Sequence, residues 1–152
     1  MDYLEELQVP HRINYLQTDF EQEVKRPTND RGGDVVINTL AGEGIQKGMN
    51  CLASGGRYIE IAMTALKSAK NIDLSKLSNN QSFFSIDLHK LVFENPEITK
   101  EYYDQMEQFL EQGVIKPTIC KIFPFNQIKK AYQFLENREK IGKIVVQIPD
   151  LY

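Results

Sequence analysis

Residues 34–38, Asp34-Val35-Val36-Ile37-Asn38, set three consecutive β-branched residues between two polar ones. Neighbouring residues on a strand point to opposite faces, so this run is apolar on both. Such a strand belongs inside a parallel sheet that is covered on each side. Gly32 and Gly33 mark the turn that leads into it. Parallel neighbours need crossover connections, usually helices, so the expected fold class is α/β.

The rest of the chain supplies the alternation that this class requires. Residues 1–8 place Leu4 and Leu7 on one side of a short helix, and residues 12–16 read as a short strand. A helix over 19–25 would be capped by Thr18 or Asp19, with Phe20 and Val24 on one side and Pro27 as its stop. After the central strand, residues 44–52 form a helical pattern with Ile45, Met49 and Leu52 together, ended by Gly55-Gly56. Strands are expected over 57–62 and 82–88, with one helical turn over 73–77 between them. Asn95-Pro96 starts a helix to about Gln112, with Ile98, Tyr102, Met106 and Phe109 on one face and Gly113 as terminator. A strand over 119–125, a helix capped by Asn126 with Ile128, Ala131, Tyr132 and Leu135 inward, and a strand over 143–148 complete the pattern. Ligands of parallel sheets bind outside the carboxyl ends of the strands, here just after Ile37, Ile61 and Ile86.

Composition excludes several classes. The 152 residues are 41% hydrophobic and 26% charged, near the globular average, so disorder is not indicated. The formal charge is −3, and the short basic cluster of Lys129, Lys130, Lys140 and Lys143 is interrupted by Glu136 and Glu139. No attraction for nucleic acid or anionic membrane follows from that distribution. No apolar run approaches the roughly 18 residues of a membrane span. The opening, Met1 to Glu6, is acidic and unlike a signal peptide. Cys51 and Cys120 sit among apolar residues and are expected to be buried free thiols in a reducing cytoplasm. His11 and His89 lack metal-ligand spacing, so no metal site is expected.

Gly33-Asp34-Val35-Val36-Ile37-Asn38-Thr39-Leu40-Ala41-Gly42-Glu43 resembles the segment G-V-D-V-V-L-N-S-L-A-G-E of certain enoyl-reductase domains. These are the domains of polyketide and animal-type fatty-acid synthases, zinc-independent and quinone-oxidoreductase-like members of the medium-chain dehydrogenase/reductase superfamily. Cys51-Leu52-Ala53-Ser54-Gly55-Gly56-Arg57-Tyr58-Ile59-Glu60-Ile61 is similar to their C-L-A-P-G-G-R-F-V-E-I-G-K. Gly113-Val114-Ile115-Lys116-Pro117, Phe123-Pro124 and Ile141-Gly142-Lys143-Ile144-Val145-Val146-Gln147 are similar to G-x-(I/L)-x-P, F-P and I-G-K-V-V-(I/V)-Q. The opening Tyr3-Leu4-Glu5-Glu6-Leu7-Gln8-Val9 is similar to the helix after the family's second strand. The pieces follow the family's order over essentially the whole chain.

The resemblance implies a partial Rossmann fold, a doubly wound parallel sheet lacking its first strands. Residues 1–115 would be a partial cofactor-binding domain, and 116–152 a return segment of the catalytic lobe. It also implies that the substrate lobe, the first two Rossmann strands and the glycine-rich loop are absent. Gly42-Glu43-Gly44 and Gly55-Gly56 lack the spacing to replace that loop. A split or degraded gene would look like this. The implied activity is NADPH-dependent reduction of an α,β-unsaturated thioester on an acyl carrier protein. NADPH would bind the complete domain, and the isolated fragment would be inactive. Implied partners are the missing lobes of the same synthase, with self-association as a further expectation. The alternatives are a non-catalytic remnant, a split-enzyme subunit, or a quinone or alkene oxidoreductase of the same superfamily.

The resemblance also nominates residues. It places the loop Asn38, Thr39 and Leu40 against the nicotinamide ribose, whereas the plainer reading is a strand-ending turn. Glu60-Ile61-Ala62-Met63 follows the next strand, and Ile61, Ala62 and Met63 are expected on the cofactor too. Here the chain departs from the family, because Ala62 and Met63 stand where it has Gly and Lys. That lysine is a candidate proton donor, and Met cannot donate. Lys67 and Lys70 lie four and seven residues beyond Met63, and Lys67 is a weak catalytic candidate. Asp87, in Phe84-Ser85-Ile86-Asp87-Leu88, matches the family's F-D-L aspartate, a candidate general acid or positioning group. The competing reading is a helix cap. His89 is expected at the surface, and Tyr102, Tyr103, Phe109, Tyr132 and Phe134 are expected in packing.

Overall fold

A computed structural model of the protein describes residues 2–69, 71–136 and 140–149. The chain forms two compact units, Met1–Pro96 and Glu97–Tyr152. In the first, the order is α1 (Asp2–Glu6), α2 (Phe20–Lys25), β1 (Gly33–Asn38), α3 (Glu43–Asn50), β2 (Leu52–Glu60), α4 (Met63–Ser68), a 3-10 turn (Leu74–Lys76), β3 (Ser82–Ser85) and α5 (Leu88–Glu94). The three strands make a parallel sheet in the order β1-β2-β3.

The register sets Val36, Tyr58 and Phe83 in one row and Ile37, Ile59 and Phe84 in the next. Adjacent rows point to opposite faces. The first row enters the core with Ile45 and Met49 of α3 and Ala65 of α4. Tyr58 is fully buried and stacks on Phe83 with centroids 5.1 Å apart. Gly48 of α3 lies so close that an added Cβ would meet the Tyr58 ring at 2.8 Å. The second row is open: Ile37 is 65% exposed and Phe84 47%.

Several expectations change at this point. β1 is an edge strand, with Val35 and Ile37 exposed, so its two apolar faces do not make it central. Residues 12–16 are not a strand. Asn14 folds them into a turn: its side chain accepts from the Leu16 amide, and its carbonyl from Gln17 and Thr18. The helix expected over 44–52 stops at Asn50, and Leu52 opens β2. Gly55-Gly56 does not end the unit. The pairing jumps from Gly33–Leu52 to Val35–Arg57, so the glycines sit in a bulge within β2. The strand expected over 82–88 ends at Ser85, α5 follows with Asp87 as its cap in line with the competing reading of that residue, and α4 was not anticipated. Asp19 is the cap of α2, accepting from the Glu21 amide. Gly32 takes φ +85, and an added Cβ would meet the Cys51 carbonyl at 2.3 Å, so only glycine fits that turn.

The second unit holds α6 (Pro96–Glu111), β4 (Ile119–Pro124), a 3-10 turn (Phe125–Gln127), α7 (Ile128–Glu136) and β5 (Lys143–Gln147). β4 and β5 pair in parallel with α7 as their crossover. Phe123 and Ala131 are buried, and Phe123 packs on Phe134 at 5.7 Å. Asn126 lies inside the 3-10 turn and is not the cap of α7. Tyr132 and Leu135 of α7 are more than half exposed, as is Tyr102 of α6, so these faces are not inward. Ile98, Met106 and Phe109 of α6 are exposed too. Of the two thiols, Cys51 is buried but Cys120 is exposed. Burial pushes the Cys51 thiol up to about 11. Among the described residues, no helix is long and apolar enough to cross a membrane.

Candidate functional site

β1, β2 and β3 run parallel, so their carboxyl ends lie along one edge of the sheet. The segments that leave them begin with Thr39, Ile61 and Ile86. That edge carries the sequence-nominated residues of the first unit, and a buried polar network underlies it.

The network centres on Glu60, the last residue of β2, which is 0% exposed. Its Oε2 accepts from Asn38 Nδ2 at 2.8 Å and from the Tyr58 hydroxyl at 3.0 Å. Its Oε1 accepts from the Ala62 amide at 2.8 Å. Its backbone carbonyl accepts from the Ile86 amide at 2.9 Å. Three donors on one carboxylate satisfy a group whose burial would otherwise be costly. Burial, then the hydrogen bond to Glu60 and its charge, raise the Tyr58 phenol far above its ordinary range, so Tyr58 stays a neutral donor.

Asn38 is buried and uses both ends of its amide. Nδ2 also donates to the Leu40 carbonyl at 2.8 Å, and Oδ1 accepts from the Leu40 amide at 3.1 Å. The Asn38 side chain is therefore occupied in shaping its own loop. Thr39 is exposed, and Leu40 half-buried. Across the edge, Ile61, Ala62 and Met63 are half-buried, and Met63 starts α4. Lys67 sits on the exposed side of that helix. Lys70 lies outside the described residues.

Asp87 is half-buried and caps α5, its Oδ1 accepting from the Lys90 amide at 3.1 Å. His89 is exposed, its ring 4.9 Å from that of Phe93. The edge thus joins the loops after β1 and β2 through side chains, and the segment after β3 through backbone. Sequence reasoning passed over Tyr58 as strand and named Glu60 at the head of a candidate segment without giving it a role. Their signal was present: they stand two apart at the end of one strand, which puts phenol and carboxylate on one face.

A family model described as zinc-binding dehydrogenase matches residues 7–146. The highly reducing polyketide synthase gloL of Glarea lozoyensis is 33% identical over 141 residues, which is 92% of this chain and 6% of that protein. Among solved structures, the JamJ enoyl reductase in its apo form is 30% identical with a TM-score of 0.81, over 98% of this chain and 44% of that one. The CurF ER cyclopropanase from curacin A biosynthesis is 31% identical with a TM-score of 0.78, over 97% and 44%. The chain therefore spans less than half of the solved domains and a small part of the curated synthase it matches.

Proposed function

The chain belongs to the zinc-binding dehydrogenase family and is related within it to polyketide-synthase enoyl reductases, and from that premise we propose that it is the carboxy-terminal part of an NADPH-dependent enoyl reductase. The substrate class is an α,β-unsaturated thioester held on an acyl carrier protein, and the setting is the cytoplasm. In the complete domain NADPH supplies hydride to the β-carbon, and the protein's contribution is to bind, orient and exclude water.

The observation that carries the reading is the shared edge after β1 and β2. Its residues suit the ribose end of a dinucleotide: the exposed Thr39 offers a hydroxyl, and the half-buried Leu40, Ala62 and Met63 a mainly apolar wall. We assign cofactor contact to Asn38, Thr39, Leu40, Ile61, Ala62 and Met63, with Asn38 acting through the loop it folds. Asp87 is assigned as a positioning group at the end of the sheet, because its Oδ1 already accepts an amide. Lys67 is the proton-donor candidate left once Met63 occupies the family's lysine position. Residues 116–152 are assigned to the catalytic lobe, residues 1–115 to the cofactor-binding one. Among the described residues no group of three or more His, Cys, Asp or Glu gathers that could hold a metal, and no step is routed through one.

The pyrophosphate of a dinucleotide needs backbone N–H groups at a helix amino terminus, which this reading assigns to the missing lobes of the same synthase. The test is NADPH oxidation with a crotonyl-type thioester. No turnover is expected from the chain alone, and turnover is expected once the complementary lobes are supplied. Turnover by the chain alone that vanishes in Asp87→Ala would show a self-sufficient enzyme and overturn the proposal.

A further inference from the structure

Two loops at the strand ends are joined by one carboxylate. Glu60 holds Asn38 through Oε2 and the Ala62 amide through Oε1, both at 2.8 Å. Asn38 in turn holds Leu40 at both its amide and its carbonyl. A second link runs between the same loops, the Ile61 amide donating to the Asn38 carbonyl at 3.3 Å. The carboxylate is wholly buried, and among the described residues no cation is recorded in an ion pair with it. A hydrophobic residue at the end of β2 would fill the same space without the polar cost, so the carboxylate needs a reason of its own.

We propose that Glu60 is a positioning residue, a buried clamp that fixes the loop after β1 to the loop after β2 so that the cofactor-facing atoms of both hold one geometry. This rests on the cofactor assignment for what the clamp serves, though the clamp itself is defined by its bonds. The side chain needs three acceptor positions and no donor. Glutamine has the same shape but brings an NH2 group. One orientation turns that group against the Ala62 amide, and the other against Asn38 Nδ2. Either way one of the two ties is lost. Replacing Asn38 by Asp at the same time reverses the polarity of that bond, so the glutamine NH2 can donate to the new carboxylate while its carbonyl still accepts from Ala62; the Leu40 carbonyl loses its Asn38 Nδ2 donor in the exchange, so the pair restores the tie at Ala62 and not the whole loop.

The experiment is amide hydrogen exchange by NMR on the full chain, as wild type, as Glu60→Gln, and as the pair Asn38→Asp with Glu60→Gln. Loss of one net hydrogen bond predicts roughly tenfold faster exchange at Leu40 and Ala62 in Glu60→Gln. Mid-strand amides of Val36 and Tyr58 should keep their rates, and the pair should recover the protection at Ala62. A single variant that does not fold beside a pair that does is the same rescue. Unchanged exchange at Leu40 and Ala62, equal acceleration across the whole sheet, or no recovery at Ala62 in the pair would overturn the clamp. A parallel titration with millimolar NADPH separates the two readings. Wild-type shifts at Thr39 and Ala62 that shrink in Glu60→Gln support both. NADPH shifts confined to residues away from that edge, with the exchange pattern intact, defeat the cofactor reading and leave the clamp standing.

Discussion

The two faces of the first sheet are built from one strand set and end in opposite states. On one, Val36, Tyr58 and Phe83 meet α3, and the row is closed. On the other, Ile37, Ile59 and Phe84 form an apolar row of the same length with its ends exposed. The strand sequence treats both faces alike, since Val35, Val36 and Ile37 are all β-branched. The difference teaches that periodicity reports what a strand can bury, while the cover itself must come from other segments. A closed face stabilises, and an open apolar row invites association.

The largest contrast should come from truncating each face in turn. Tyr58→Ala removes a ring from the closed side and should cost about 3–5 kcal/mol, a large share of the stability of a domain this size. Denaturant titration measures it, and a loss under about 1 kcal/mol would mean the closed row is not the core. Asp87→Ala should cost about 1 kcal/mol through the lost α5 cap. Thermal melts check this, and no shift at all would remove Asp87 from its capping role. The smallest effect on stability belongs to the open face. Ile37→Thr keeps the β-branch and should change stability by no more than about 0.5 kcal/mol. It should nonetheless reduce self-association in sedimentation, because Ile37 lies on an edge strand as well as on the open row. Wild-type chain that sediments as a clean monomer at tens of micromolar would contradict the role given to that row.

Element types were mostly legible in the sequence because their signals are local. The types of α2, β1, α3 and β5 read correctly from caps, period and β-branching, with Asp19 the one of two offered caps that α2 uses. Residues 12–16 did not, because a strand exists only with a partner, and Asn14 offers the backbone local bonds instead. Gly55-Gly56 read as a terminator because a bulge and a turn use the same residues. At the candidate site, the rule that ligands sit at strand ends points just after Ile37 and Ile61, beside the last residues of β1 and β2. What joins the loops there was not legible, because the bond from Asn38 to Glu60 spans 22 residues and depends on register. The exposure of Tyr132 and Leu135, expected inward, has the same origin as that of Ile37: helical spacing marks a stripe without saying what covers it.

Calorimetric titration of the chain with NADPH asks most directly whether the edge is the ribose half of a divided cofactor site. Thr39 and the neighbouring backbone can offer a few hydrogen bonds at about 1 kcal/mol each. The association cost is at least roughly 4 kcal/mol. The expected result is a dissociation constant no tighter than about 1 mM, which corresponds to about −4 kcal/mol. A dissociation constant in the low micromolar range would contradict a divided site, since the loops after β1 and β2 could not supply that affinity without a grip on the pyrophosphate.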